Sequence, residues 1–497
     1  MRNPGPHLYT EIEDDTIRWA DVGKLARRYR RRIVGAARAG DRPSLYQLLI
    51  THLGDDVDAL QVVEEGWEPY DQVNMQIGLD AWLSEDGRSH QLVGIAHYHQ
   101  SSGLTDLLRP SHDEEYGPVP GNVTWMNVAS GPGGQLRQAV RVGLYLVEDG
   151  GGRAAILVRA ADREFGMSSV QMHVVADRPG AAADIAGSIR ALALEHNVSR
   201  GQVISFGREM FERATVLQFH IRPSMSEGDV ILPAETMAMI RRQVVGIAEH
   251  REKLLAARQH LKRGLLLYGP PGVGKTHSVR YLMGQLTDVT IIELSGDSLS
   301  LISQACSVAR TLQPAMIVVE DVDLIAEDRG MYPGANPLLF QLLNEMDGLA
   351  EDSDVVFLLT TNRADVLESA LAARPGRVDQ AVALDLPDAR ARRQLFDLYR
   401  GDMVIDESNL DSVIERTDQV TASFLKELLR RAALFAASDA QGRDEPLAVS
   451  AGHLDAALDE LLDTRNAMTR VLLGGPRPVS SRGESDSDES EFDGPYY

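Results

Sequence analysis

Residues 264–276 read GLLLYGPPGVGKT, and residues 277–286 continue as HSVRYLMGQL. A short apolar run, then G-x-x-x-x-G-K-T, then helix-forming residues make a strand, a glycine-rich loop and a helix in the order a phosphate cradle needs. Glycines let the backbone wrap until several N–H groups converge. They converge at a helix amino terminus, where the helix dipole favours an anion. Gly269, Pro270, Pro271, Gly272, Val273, Gly274, Lys275, Thr276 and His277 are therefore expected to hold a phosphate chain. Lys275 is the expected cation for the β- and γ-phosphates, and the Thr276 hydroxyl the expected ligand for Mg²⁺. ATP and Mg²⁺ are the cofactors this pattern calls for.

Outward from the loop, apolar runs alternate with helix-length segments: GLLLY, VTIIEL, AMIVV, VVFLLT and AVAL. Such alternation implies an α/β core with a parallel sheet and helices on both faces, assigned to residues 229–387. Beyond Pro387 the pattern is helical throughout (ARARRQLFDLYR, TASFLKELLRRAALFAAS, AGHLDAALDELLD), giving a small all-helical lid over residues 388–470. Residues 1–228 read as a separate α+β amino-terminal domain with its linker, a place to hold a partner or substrate. Its strand-like runs are RVGLYLVE (141–148), RAAILVR (153–159) and SSVQMHVVA (168–176), with EDGGG as a hairpin turn. GAAADIAGSIRALALEH has helical periodicity, and GQVISF returns to strand. Residues 471–497, rich in serine and acid, are expected to be a disordered acidic tail.

Composition limits the partners. The 497 residues carry 50 basic against 73 acidic side chains, a formal charge of -23. That excess repels phosphate backbones and anionic lipid, so nucleic acid is not an expected partner. The single cysteine, Cys306, excludes an internal disulfide framework; in ISQACSVAR it reads as core packing. No apolar run approaches the roughly 20 residues of a membrane span, and MRNPGPHLYTEIEDD lacks a signal-peptide pattern. The expectation is a cytoplasmic protein without a transmembrane segment.

AMIVVEDVDLIAEDR, residues 315–329, ends a buried strand with adjacent acids, Glu320 and Asp321, and VVFLLTTN ends another with Asn362. With LKRGLLLYGPPGVGKT, TTNRADVLESALAARPGRVD and TASFLKELLRRAAL, these make the run from about 229 to 467 resemble the AAA family of hexameric ATPases. The resemblance covers about half the chain. It implies a P-loop NTPase core with a helical lid, ATP hydrolysis, and nucleotide bound between subunits of a homo-oligomer, a hexamer by analogy. It also implies that Asn362 orients the attacking water and that Arg374 and Arg377 of ARPGR enter the neighbouring copy's site.

The family's usual acid order is Asp then Glu. Here it is reversed, as in the mitochondrial inner-membrane translocases that handle a folded iron-sulfur protein, which EDVD also resembles. Glu320 is assigned to the metal with Thr276, and Asp321 to water activation. Lys275, Glu320, Asp321, Asn362, Arg374 and Arg377 form the expected catalytic set. The function implied is an ATP-hydrolysing oligomeric motor that remodels or translocates a macromolecular client, a protein by preference. An ATP-binding assembly scaffold with little turnover and a nucleic-acid-stimulated ATPase are the competing readings.

Parts of the family pattern are missing. The pore-loop stretch SGDSLSLIS (295–303) has no aromatic, and its Leu299 and Leu301 are expected in the core. For the family's acidic-Val-Gly-Gly segment near the adenine, VVGIAEH offers only Gly246. The lid position that carries an arginine in some relatives is Ala422. Seven basic residues between Lys24 and Arg38 read as a solvated helix face, and His97 and His99 of AHYHQ have a spacing that suits a metal without the acids or cysteines to complete a site. The terminal GPYY weakly resembles a proteasome-docking signal.

Overall fold

The computed structural model describes residues 44–96, 103–110, 118–162, 166–208, 215–323, 337–363, 378–439 and 446–463. They fall into two compact units. The first lies within Met1–Ser130, Gln135–Val198 and Arg208–Val216; the second chiefly within Ser199–Gly207 and Leu217–Tyr497.

In the first unit, strands β1 (Val62–Trp67), β2 (Arg88–Ala96), β3 (Val119–Gly121), β4 (Thr124–Gly131), β5 (Gln135–Asp149), β6 (Gly152–Arg159) and β7 (Val170–Ala176) form one sheet. Its order is β1-β7-β6-β5-β2-β3, with β4 beside β5. Successive side chains of a strand point to opposite faces, and here both faces are covered. Tyr145, Val147, Ile156 and Val158 pack under helices α2 (Gln72–Leu83) and α4 (Ala181–Glu195). Leu144, Leu146, Ala155 and Leu157 pack instead with α1 (Leu45–Leu53) and the short α3 (Leu104–Leu107). Ser44 starts α1 with a capping box to Gln47. The hairpin expected around EDGGG is present as β5–β6, joined antiparallel from Val142↔Arg159 to Asp149↔Gly152.

The second unit is built on a sheet of order β14-β10-β13-β12-β11-β8-β9. Its strands are β8 (Val203–Arg208), β9 (Thr215–His220), β10 (Arg263–Tyr268), β11 (Thr290–Leu294), β12 (Ala315–Val319), β13 (Val355–Thr361) and β14 (Gln380–Ala383). β10 through β14 are mutually parallel, as expected. One face of the sheet, with Leu265, Leu267, Ile291, Met316 and Leu358, packs against α5 (Ala234–Arg241) and α8 (Lys275–Gln285). α5 runs through a π-helical turn, Arg242–Gly246, into α6 (Ile247–Glu249) and then α7 (Arg251–Ala256). On the other side α9 (Ile302–Thr311) lies against β11, β12 and α10 (Pro337–Asp347). Cys306 of α9 is fully buried and burial pushes its thiol up to about 12, which makes it inert packing.

GQVISF departs from expectation. The sequence reading placed it in the amino-terminal region, before a boundary at 228/229. As β8 it pairs in parallel with β11, Val203 opposite Ile291 and Ser205 opposite Glu293. An apolar run of this length reads as a strand but carries no mark of its partner.

Beyond Pro387, helices α11 (Ala389–Tyr399), α12 (Leu410–Arg416), α13 (Ala422–Asp439) and α14 (Ala451–Leu462) share an apolar core, with a two-stranded pair of β15 (Val404–Ile405) and β16 (Ala448–Val449) beside it. Asp388 stops the preceding segment and starts α11 by accepting the Ala391 N–H at 2.7 Å. Among the described residues, no helix is long and apolar enough to cross a membrane.

Candidate nucleotide site

The strand order decides what meets the loop. β13 lies between β10 and β12, so the carboxyl ends of three adjacent strands present the cradle, Asn362 and the acid pair side by side. Ligands of open α/β sheets bind at such carboxyl ends.

The loop between β10 and α8 is held from two sides. Leu384, just after β14, donates its N–H to the Tyr268 carbonyl at 2.8 Å. This draws the Leu384 carbonyl so close to Gly269 (φ +149) that a Cβ there would overlap it. At Gly272, with φ +82, a Cβ would lie 2.9 Å from Ser423 Oγ and 3.0 Å from Thr421 Oγ1. Ser423 of α13 also donates its N–H to the Gly272 carbonyl at 3.4 Å. Both glycines are thus required by neighbours as well as by backbone angle.

Lys275 is 7 % exposed and its ammonium is fully engaged. Nζ donates to the Gly269 and Pro270 carbonyls, each at 2.8 Å, and to Asn362 Oδ1 at 2.7 Å. Burial lowers its pKa, while the Asp321 and Asp323 charges act the other way. Asn362 in turn donates from Nδ2 to Asp321 Oδ1 at 3.2 Å. A hydrogen-bonded chain Lys275–Asn362–Asp321 therefore links the cradle to the acid pair.

The two acids face different neighbours. The Thr276 hydroxyl acts to lower the pKa of the Glu320 carboxyl, and the Glu320 N–H donates to the Leu294 carbonyl of β11 at 3.1 Å. Burial, then the charges of Glu293 and Asp321, push its carboxyl above the usual range, against the Thr276 hydroxyl and Arg280. Asp321 turns toward β13, donating its N–H to Thr360 Oγ1 at 3.1 Å. It takes φ +53, the left-handed region in which Asp and Asn are enriched among non-glycine residues. One hydroxyl and one carboxylate, Thr276 with Glu320, form a donor set that fits Mg²⁺, which takes phosphate oxygens and keeps several waters.

Some residues of the site escaped the sequence reading. Asp323, 8 % exposed, accepts from Thr361 Oγ1 at 2.8 Å and from the Asn362 N–H at 3.3 Å, fixing the backbone that carries Asn362. The third acid of EDVD was its only signal. Glu293 of β11 adds a carboxyl whose pKa burial raises; a lone acid in an apolar strand was the mark.

A cleft of about 350 Å³ runs from the loop to the lid. Its lining includes residues 229–232, Tyr399, Ala422 and Lys426. Gly246, expected near the base, lies elsewhere, on a separate cleft with Arg241, Arg242 and His250. Asp229, Val230, Ile231 and Leu232 line the loop-to-lid cleft in its place. Leu299 and Leu301 of the pore-loop stretch are buried, as expected. Arg374, Arg377, His97, His99, the basic segment 24–38 and the tail 471–497 lie outside the described residues. Among the described residues, no group of three or more His, Cys, Asp or Glu is placed to hold a metal ion.

Residues 265–386 match the family described as "ATPase family associated with various cellular activities (AAA)". The chain is also similar to the ATP-dependent zinc metalloprotease FtsH of Ureaplasma parvum serovar 3, 28% identical over 262 residues, or 50% of this chain and 34% of the relative. FtsH 2 of Sphaerobacter thermophilus is 35% identical over 217 residues, 40% of this chain and 33% of its own length. FtsH of Thermus thermophilus is 30% identical over 272 residues, 49% and 42% respectively. The chain spans less than half the length of these relatives. Residues 265–386 are an AAA ATPase domain, homologous to the AAA domains of the FtsH proteins.

Proposed function

We propose that this chain is an ATP-hydrolysing AAA-type motor that works as a homo-oligomer, a hexamer by family analogy, and remodels or translocates a protein client. The observation that carries the reading is the chain Lys275–Asn362–Asp321, which ties the phosphate cradle to a carboxylate across three strands. Backbone N–H groups of 272–276 bind the phosphates, and Lys275 exchanges its carbonyl partners for phosphate oxygens. Mg²⁺, held by Thr276 and Glu320, supplies neutralising charge when bound. Asp321 takes a proton from water that Asn362 orients. Arg374 and Arg377 reach the next copy's site, where a guanidinium fork stabilises charge on the transferring phosphoryl group.

The Glu-Asp order is the tie to the mitochondrial iron-sulfur-protein translocases, and it supports the view that swapped acids are compatible with turnover. The metalloprotease activity in the FtsH names is not carried over, since H-E-x-x-H does not occur in the 497 residues. A cytoplasmic location is part of the proposal; docking of GPYY on a proteasome is a weaker extension of it.

Steady-state phosphate release from purified protein tests the reading. Turnover that is lost in Lys275→Ala, and that falls on dilution or in Arg374→Ala and Arg377→Ala, supports an oligomeric motor. ATP binding without release identifies the rival reading, an assembly scaffold. Salt-sensitive stimulation by DNA or RNA would instead point to a nucleic-acid-stimulated ATPase.

A further inference from the structure

Lys426 lies one turn inside α13, the lid helix whose first residues pack on Gly272. It is exposed and lines the nucleotide cleft. Its helix neighbours are paired with one another: Glu427 accepts from Arg430 at 2.7 Å and from Arg431 at 2.9 Å. Lys426 itself has no carboxylate within ion-pair distance among the described residues. Among the described residues it has a ring contact with Tyr399, 5.8 Å from Nζ to the centroid and also on the cleft.

The charges around it do not balance it either. His277, at the start of α8, is held low first by burial and then by the charges of Lys426 and Arg280. Asp229 is engaged by Ser226, whose N–H and Oγ each donate to it at 2.7 Å. The charged partner across the site is Lys275, which lines the same cleft as Lys426; two cations lining one cleft are unfavourable together when it is empty and favourable once an anion lies between them.

We propose that Lys426 is a phosphate-binding residue for the nucleotide, contributed by the lid, so that the bound phosphate chain bridges α13 to the loop 269–276. The inference rests on the nucleotide-site reading. It makes lid position sensitive to the occupant of the cleft although Ala422 brings no charge. Because the contact is solvent-accessible, its size is that of a partly screened ion pair, about fivefold in affinity, and charge reversal about doubles the logarithm of the effect.

Isothermal titration of the full chain with ADP, at low and at about 0.5 M salt, tests it. Lys426→Gln is expected to weaken ADP about fivefold and Lys426→Glu about 20-fold. Lys426→Arg is expected to stay within twofold of the wild type, and the differences to shrink in high salt. The ligand-free thermal midpoint of each variant is expected to match the wild type, which separates lost charge from a damaged lid. Equal ADP affinity in the wild type, Lys426→Gln and Lys426→Glu overturns the proposal, as does equal weakening in Lys426→Gln and Lys426→Arg. If the wild type fails to bind ADP, or Lys275→Ala binds it as tightly, the nucleotide reading itself fails.

Discussion

Asp321 carries two demands that can be separated by substitution. Its backbone sits at φ +53, where an ordinary L-residue pays roughly 1–2 kcal/mol and Asp or Asn pays less because a short polar side chain bonds locally. Its carboxylate is the proposed base. Asp321→Asn keeps shape, backbone preference and an oxygen to accept from Asn362, so stability is expected to stay within about 0.5 kcal/mol of the wild type. Loss of the base is expected to lower kcat by about 10²–10⁴. Asp321→Glu retains the charge but takes on the full backbone cost, about 1 kcal/mol, or some 2–4 °C in thermal midpoint for a unit of this size. Its carboxyl also overshoots by about 1 Å, worth on the order of a hundredfold in rate. The two rankings therefore cross: Asn is the more stable variant, while Glu is the same or better in turnover. Phosphate release at saturating MgATP and thermal unfolding of both variants read this out. An Asn variant that turns over within threefold of the wild type, or a Glu variant more stable than the Asn one, would refute the reasoning.

Other perturbations probe the supports. Gly272→Ala places a Cβ 2.9 Å from Ser423 Oγ at φ +82, so ADP affinity measured by titration is expected to fall at least about tenfold as lid and loop separate. Arg263 pairs with Asp354 at 3.1 Å, both side chains 6% exposed. Arg263→Ala strands that carboxylate with only Arg251 at 3.6 Å, and chemical denaturation is expected to show a loss of about 3 kcal/mol. The Glu427 carboxyl is held down to about 2, below the ordinary glutamate range, first by the Arg430 hydrogen bond. A depressed carboxyl stabilises the fold above about pH 4.5, and the contribution fades as pH falls toward about 2. The thermal-midpoint difference between wild type and Glu427→Gln is thus expected to shrink from pH 6 to pH 3.

Particular residues show where sequence reading succeeds. GLLLYGPPGVGKT was legible because its instructions are local: an apolar run, glycines for positive φ, a lysine at the start of a helix. The helices of the lid were legible from period and from the Pro387–Asp388 start. Asn362 and the acid pair were found only through resemblance to a family, since a strand-end Asn or Asp has many ordinary uses.

What the sequence by itself determined is the set of elements and the chemistry each end can offer, because dihedral preferences and hydrophobic periods act within about ten residues. What only the tertiary structure decided is the company those ends keep. Insertion of β13 between β10 and β12 places Asn362 between Lys275 and Asp321, addition of β8 to β11 moves GQVISF into the ATPase sheet, and residues 229–232 rather than Gly246 line the cleft. Buried parallel strands are apolar on both faces, so their sequences are nearly interchangeable. Their order is fixed by packing among residues far apart in the chain, which no local pattern records.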